Sequence, residues 1–336
     1  MRVFITGVAG FLGSHLADAF LSRGDTVSGV DNLIGGYADN VSRGVDWYEG
    51  DCNDFDRLKK AMRGSEVVYH CAATAHEGLS VFSPHENATH GYSASAATFS
   101  AACAVGVRRC VFTSSMARYG HGERPPPFTE EMVPMPTDPY GIGKLASERL
   151  LTNLAEEHGI ECAIAVPHNI YGPRQKYDDP FRNVLSIFAN LMLQKRQPII
   201  YGDGSQERCF SYYTDDVEPL VKMAVQANVA GQVINIGPDT EVVSVLDAAR
   251  IVARVLDFPL DPVFVPGRPR EVQFAHCSAD KAKRLLDFKS QVSLETGIEK
   301  TVEWIAKRGA RPFSYHRLDI EIESARLPQT WKRRML

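Results

Sequence analysis

The chain has 336 residues, 44% hydrophobic and 23% charged, with a formal net charge of −4. That balance is ordinary for a globular protein and advertises no basic surface for nucleic acid or an anionic membrane. No apolar run reaches the ~20 residues a membrane span requires, and the N-terminus MRVFITG turns to glycine too soon for a signal peptide. The seven cysteines (Cys52, Cys71, Cys103, Cys110, Cys162, Cys209, Cys277) are odd in number and free of CxxC spacing. They fit reduced, buried thiols in a cytoplasmic protein. The ten histidines show no metal-ligand spacing, so no metal is expected.

In chain order, RVFIT reads as a strand, followed by a glycine turn and the helical FLGSHLADAFLSRG. TVSGVD is a second strand, FDRLKKAMRG a helix and EVVYHCAA a strand. SASAATFSAACAVGV is a small-residue helix, RRCVFTSS a strand, LASERLLTNLAEEHG a helix and ECAIAVPHNIYG a strand. Alternation at this period predicts parallel βαβ units and a doubly wound α/β sheet of the Rossmann kind. After about residue 172 the rhythm breaks. VLSIFANLMLQKR, VEPLVKMAVQA and SVLDAARIVARVL read as helices and VINIG as a strand, while PIIYGDGSQERCFSYYTDDV reads as two short strands around a Gly-Asp-Gly turn. This half looks like a smaller lobe interleaved with the sheet. The stretch 310–336, ending WKRRML, fits either an arm packed on a neighbouring subunit or a docked tail.

Two motifs carry chemistry. GVAGFLG places Gly7, Gly10 and Gly13 after a strand and at the start of a helix. Glycines there let backbone N–H groups approach a diphosphate at a helix N-terminus. Asp31, closing the second strand, suits ribose hydroxyls and repels a 2′-phosphate, which favours NAD over NADP. The second motif is VFTSSMARYG, a strand ending in hydroxyls that include Ser115, followed by Tyr140 and Lys144, four apart on one helix face. A phenol with a pKa near 10 is a poor base at neutral pH; a neighbouring ammonium and a cationic nicotinamide ring favour its phenolate. Pro139 suits the first position of that helix.

These motifs, in this order, resemble the extended short-chain dehydrogenases/reductases, in particular the NAD-dependent nucleotide-sugar epimerases and dehydratases. The resemblance runs from residue 1 to about 305. It implies cofactor contacts from Gly7, Gly10, Phe11, Leu12, Gly13, Asp31, Asn32, Asp51, Cys52, Cys71, Ala72, Ala73, Tyr140, Lys144 and Pro167. It implies catalysis by Ser115, Tyr140 and Lys144, and substrate contacts from Ser115, Met116, Tyr140, Asn169, Arg174, Arg208 and Arg268. The domains it implies are an NAD-binding domain over 1–170, completed by segments near 207–240, and a nucleotide-sugar lobe over 171–206 and 241–309. Dehydratases and decarboxylases of this type carry acid–base side chains just after the catalytic Ser, where this chain has Met116 and Ala117. The remaining set is similar to that of the 4-epimerases, with UDP-glucose 4-epimerase the nearest type. A UDP-sugar substrate and a homodimer, joined through the Tyr140 helix and the helix around 94–104, are expected with it.

The chain departs from the family pattern at Gly91–Ser95, where a family Asn is missing, and at Val166-Pro167-His168-Asn169. Arg118 replaces an apolar residue, and Ala275 stands where related epimerases gate sugar size. Arg182 suits either a uronate carboxylate or a plain loop contact. The alternatives left open are a net NAD(P)-dependent reductase of a keto-sugar nucleotide, a dehydratase with its acid and base elsewhere, and a non-catalytic NAD sensor.

Overall fold

The computed structural model describes every residue except 316–318. Six parallel strands come first: β1 (Arg2–Thr6), β2 (Thr26–Asp31), β3 (Val45–Glu49), β4 (Val67–His70), β5 (Arg109–Thr113) and β6 (Glu161–Pro167). The short strands β7 (Ile170–Tyr171), β8 (Ile199–Tyr201), β9 (Glu207–Cys209) and β10 (Ser211–Tyr212) lie outside this sheet, and β11 (Val233–Ile236) rejoins it. The order is β3-β2-β1-β4-β5-β6-β11, parallel throughout. Chain order reverses between β1 and β4, so the crevice at their carboxyl ends is where an open sheet of this kind binds ligands.

The sheet is covered on both faces, which is why its strands read as apolar runs. Side chains alternate: Val3 and Ile5 enter one core and Phe4 the other. Helices α1 (Phe11–Ser22), α2 (Phe55–Ala61), α3 (Glu77–Ser80), α4 (Pro84–Ala88), α5 (Ala94–Val105) and α6 (Pro139–His158) belong to the first half; α7 (Val184–Leu193) and α8 (Tyr213–Met223) follow. Leu16 and Phe20 of α1 meet Leu220 and Met223 of α8 over one face. Leu58 of α2, Phe99 of α5 and Leu151 of α6 fill the other. The fully buried Arg109 ties β5 to its surroundings, donating to Glu161 at 2.7 Å and to the Met223 and Gln226 carbonyls at 2.6 and 2.7 Å.

A smaller core gathers α7, α9 (Val245–Val255) and α11 (Leu294–Arg308), with Phe188, Val252 and Ile298 packed on Tyr171 and Tyr177, while α10 (Asp280–Leu286) puts Ala282 and Leu286 into the main-sheet core beside α8. Three more short strands complete it: β12 (Val242–Ser244), β13 (Val263–Val265) and β14 (Phe274–Ala275). Of the segments near 207–240, only β11 joins the main sheet. The two strands expected around the Gly-Asp-Gly turn exist, but they do not pair: β8 joins β13, while β9 lies between β12 and β14. Asp203 closes the turn on itself by accepting from the Ser205 N–H and hydroxyl, which sends the two strands into different sheets.

The described part of the 310–336 tail docks on its own chain and ends in α12 (Gln329–Lys332). Ser314 donates to the Asp178 carbonyl, and the Glu321 and Ile322 N–H groups donate to Phe82. The Glu321 carboxylate accepts from His85 and Glu86 at the start of α4, at 2.9 and 2.7 Å. Trp331, 3% exposed, lies edge-on to Phe181 and Phe82 with ring centroids 5.1 and 6.0 Å away.

Candidate active site

One cavity of about 400 Å³ opens along the carboxyl ends of β1, β2, β3, β4, β5 and β6 and runs on between the sheet and the small lobe. At one end lies the glycine turn. Gly7 has φ +73°, and a Cβ there would stand 2.8 Å from the Ala72 nitrogen; a Cβ on Gly13 would overlap the Gly7 carbonyl oxygen. Glycine is what permits both approaches. Helix α1 starts without a side-chain cap and without an acidic residue in its first turn, so its first N–H groups are open toward the cavity. Asp31 organises this turn, accepting from Ala9 at 2.9 Å, Gly10 at 3.1 Å and Leu33 at 2.7 Å. A dinucleotide fits this donor set: uncapped helix N–H groups for a diphosphate, and a carboxylate with spare lone pairs for a ribose.

In the middle stand Ser115, Tyr140 and Lys144. Asp138 caps α6 by accepting from Gly141 at 2.9 Å, and Pro139 takes the first helical position, which fixes the turn that carries Tyr140. The Ser115 hydroxyl accepts from the Ala117 N–H at 3.2 Å and lies near enough to the Tyr140 phenol to lower its pKa. The Lys144 ammonium donates to the Thr113 carbonyl at 2.8 Å and lies 5.8 Å from the Tyr140 ring centroid. Burial dominates and pushes the phenol up to about 12; Ser115 and Arg182 pull it down, while Glu77 and Asp138 push it further up. Burial also brings Lys144 down to about 8. Behind Lys144, Arg118 forms a buried ion pair with Glu148 at 3.0 Å, and Glu148 accepts a short hydrogen bond from Ser114. That pair accounts for a charge at an apolar position. Near the missing Asn, Ser95 takes the imidazole of His70 at 2.9 Å and donates to Gly91 O, while Thr6 holds the other ring nitrogen at 2.7 Å.

At the far end are Arg208 and Arg268. Glu271 accepts from Arg268 at 2.6 Å and stands 3.9 Å from Arg208. Arg268 also lies over the Tyr201 ring, 4.9 Å from its centroid.

The cavity brings together Gly7, Gly10, Phe11, Leu12, Gly13, Asp31, Asn32, Asp51, Cys52, Cys71, Ala72, Ala73, Ser115, Tyr140, Lys144, Pro167, Asn169, Arg208 and Arg268, with Arg182 among them. Two expected residues lie elsewhere. Arg174, at φ +70°, turns back under α1, donates to the Ser14 carbonyl and pairs with Asp18 at 2.6 Å; it lines a separate surface cavity. Met116 is turned into the core because Ser115 caps the short turn after it, and its sulfur accepts from Asn169 at 3.7 Å. Ala275 is likewise in the core, not on the cavity wall. Sequence reasoning missed Glu77, Asp138, Phe181, Glu271 and Trp331, all on the wall. Only Asp138 carried a signal, an Asp-Pro pair at a helix start.

Residues 3–237 match the model of the NAD dependent epimerase/dehydratase family. The chain belongs to that family. It is 34% identical over 319 residues to a UDP-glucose 4-epimerase of Mycolicibacterium smegmatis, covering 92% of this chain and 99% of the relative. It is 30% identical to a UDP-N-acetyl-alpha-D-glucosaminuronate decarboxylase of Bacillus cytotoxicus, with 90% and 97% covered. Among solved structures, UDP-glucose 4-epimerase of Thermotoga maritima with UDP-glucose superimposes with a TM-score of 0.86 at 31% identity, over 92% of this chain and 99% of that one. UDP-glucuronic acid 4-epimerase of Bacillus cereus, in complex with UDP-glucuronic acid and NAD, gives 0.85 at 28%, over 92% and 100%.

Proposed function

We propose that this protein is a UDP-sugar 4-epimerase that oxidises its substrate transiently at C4. The observation that carries the reading is the continuity of one cavity from the glycine turn, past Ser115, Tyr140 and Lys144, to the Arg208–Arg268 pair. No proton-transferring side chain follows Ser115, where Met116 and Ala117 stand, and this favours epimerisation over elimination or decarboxylation. NAD, held by the glycine turn, Asp31 and the strand ends at Asp51 and Cys71–Ala73, supplies hydride acceptance and return at C4. The chain's own part is proton handling and anchoring. Tyr140 takes the proton of the 4-hydroxyl, directly or through Ser115, and gives it back on the return. Lys144 is fixed by the Thr113 carbonyl, which holds its ammonium beside Tyr140. Arg208 and Arg268 grip the diphosphate with planar, bidentate donors while the sugar turns. On this reading 1–170 is the cofactor half and 171–206 with 241–309 the nucleotide-sugar half.

The same proposal includes a cytoplasmic location, supported by free cysteines throughout the described residues. It also includes a homodimer through the outer faces of α5 and α6. There Ser100 and Ala104 are exposed small residues and Ile142 is 54% exposed. A monomer by light scattering at micromolar concentration would remove that part.

The test is incubation of the purified protein, with no added cofactor, with UDP-glucose, UDP-N-acetylglucosamine and UDP-glucuronate in turn, read by proton NMR. The matching galacto isomer is expected from at least one. Turnover that requires added NAD(P)H would instead support a net reductase.

A further inference from the structure

Helix α3 is four residues long and offers no periodic pattern, yet it sets an acidic side chain in the middle of the cavity wall. Glu77 is exposed on the cavity wall, and among the described residues its carboxylate takes no hydrogen bond and no ion pair. Its electrostatic surroundings locate it. Asp138 and Tyr140 face it from α6, Arg208 from β9, and Arg268 with Glu271 from the loop after β13. The same turn touches both sides: the Ser80 hydroxyl accepts from the Tyr140 N–H at 3.2 Å, and a Cβ on Gly78 would stand 3.8 Å from an Arg268 nitrogen, so Glu77 lies on the wall between the catalytic tyrosine and the arginines.

That interval has one occupant on the reading above. If the 4-hydroxyl reaches Tyr140 and Ser115 while the diphosphate lies on Arg208 and Arg268, the hexose ring must span the space between them. We propose that Glu77 is a specificity-determining residue of this sugar pocket. Its carboxylate accepts hydrogen bonds from the hydroxyls of a neutral hexose and disfavours a uronate. An unpartnered carboxylate facing a cavity gains most from a ligand that brings donors, and loses most from one that brings a second anion. Arg182, the cation on the same wall that suits a uronate, is the competing determinant, and its charge is felt by Asp179, Tyr140 and Lys144.

The proposal rests on the 4-epimerase reading for where the hexose lies, and its test separates the two. Desolvation in the cavity, then the Asp138 carboxylate, push Glu77 up to about 7 against the pull of Arg208 and Arg268. Glu77 thus gains its charge as pH rises through neutrality, whereas a uronate is ionised throughout that range. Calorimetric affinities for UDP, UDP-glucose and UDP-glucuronate are measured at pH 6 and pH 8, using the enzyme as purified. Wild type is expected to favour UDP-glucose over UDP-glucuronate by about 10-fold or more at pH 8 and by less at pH 6. In Glu77→Gln the gap closes at both pH values, while affinity for UDP changes by less than about 3-fold because UDP has no hexose. Glu77→Asp, which keeps the charge, retains the pH dependence and controls for a merely structural effect. A gap that Glu77→Gln leaves unchanged, or a wild type that binds UDP-glucuronate more tightly, overturns the proposal. The second result would hand the selection to Arg182. Discrimination through Glu77 without any galacto product would contradict the 4-epimerase reading alone; galacto product with a gap indifferent to Glu77→Gln would contradict this inference alone.

Discussion

Replacing Trp331 by Ala removes the side chain through which the tail forms a wall of the cavity. The indole is 3% exposed and edge-on to Phe181 and Phe82, with Tyr201 at 6.5 Å; Tyr201 in turn hydrogen-bonds Thr330 at 2.7 Å. Truncating a buried Trp costs about 3–5 kcal/mol if the surroundings stay in place. They need not stay, because the tail can lift off without unfolding the sheet. The cost is then capped at the free energy of docking the arm, so the global melting temperature should fall by no more than a few degrees, roughly 1–2 °C per kcal/mol for a chain of this size. The sensitive readouts are local. Proteolysis within 310–336 is expected to accelerate at least about 10-fold, as a loss of ~1.4 kcal/mol or more in docking requires. Affinity for a UDP-sugar should fall roughly 10-fold or more with the wall between Gly78 and Phe181 gone. Bound NAD should be retained, since the glycine turn is at the other end of the cavity. A variant whose tail is as protected as wild type and whose UDP-sugar affinity is within twofold would show that Trp331 neither anchors the tail nor walls the cavity.

Tyr140→Phe is expected to fold and bind UDP normally but lose about 10²–10⁴ in kcat, measured by NMR turnover; near-normal kcat would remove the proton-transfer role. Gly13→Ala forces a Cβ onto the Gly7 carbonyl oxygen, so the purified variant should carry far less NAD, assayed after acid release. His76 and Asp179 form a buried pair at 2.7 Å that ties the start of α3 to the small lobe. His76→Ala strands the carboxylate at a cost of about 3–5 kcal/mol, read by denaturant unfolding. Burial pushes Asp179 up, but His76, the Phe181 N–H and Arg182 together hold it below the usual carboxylate range. A depressed folded pKa gives stability that is present above the unfolded value and lost as pH falls through the folded one. Without His76 the acid-unfolding midpoint should therefore move to higher pH; an unchanged midpoint would contradict this.

The first half of the fold was legible because each βαβ unit announces itself locally, in apolar runs such as CVFT, small-residue turns and an Asp-Pro cap. The glycine turn and the Ser115, Tyr140 and Lys144 set followed, since residues at strand ends and on one helix face converge whatever the long-range packing. The second half was less legible. Strands β7 to β10 have two or three residues each, and their partners are set by tertiary contacts that no local pattern encodes. Arg174 lies beside family-like residues in sequence, but a positive φ sends its side chain to α1. Glu77 sits on a single helical turn, and Trp331 reaches the cavity only because the tail docks back against Phe82, Phe181 and Tyr201. Neither carries a sequence signal.

In a 4-epimerase the hydrogen leaves C4 and returns to the same carbon within one active site. This is tested most directly with UDP-glucose, or whichever of the three UDP-sugars turns over, carrying deuterium at C4, followed by NMR without added cofactor. The galacto product is expected to keep the deuterium at C4, with none exchanged with solvent. Loss of the label to solvent, or turnover that proceeds only when NAD(P)H is supplied, would contradict 4-epimerisation.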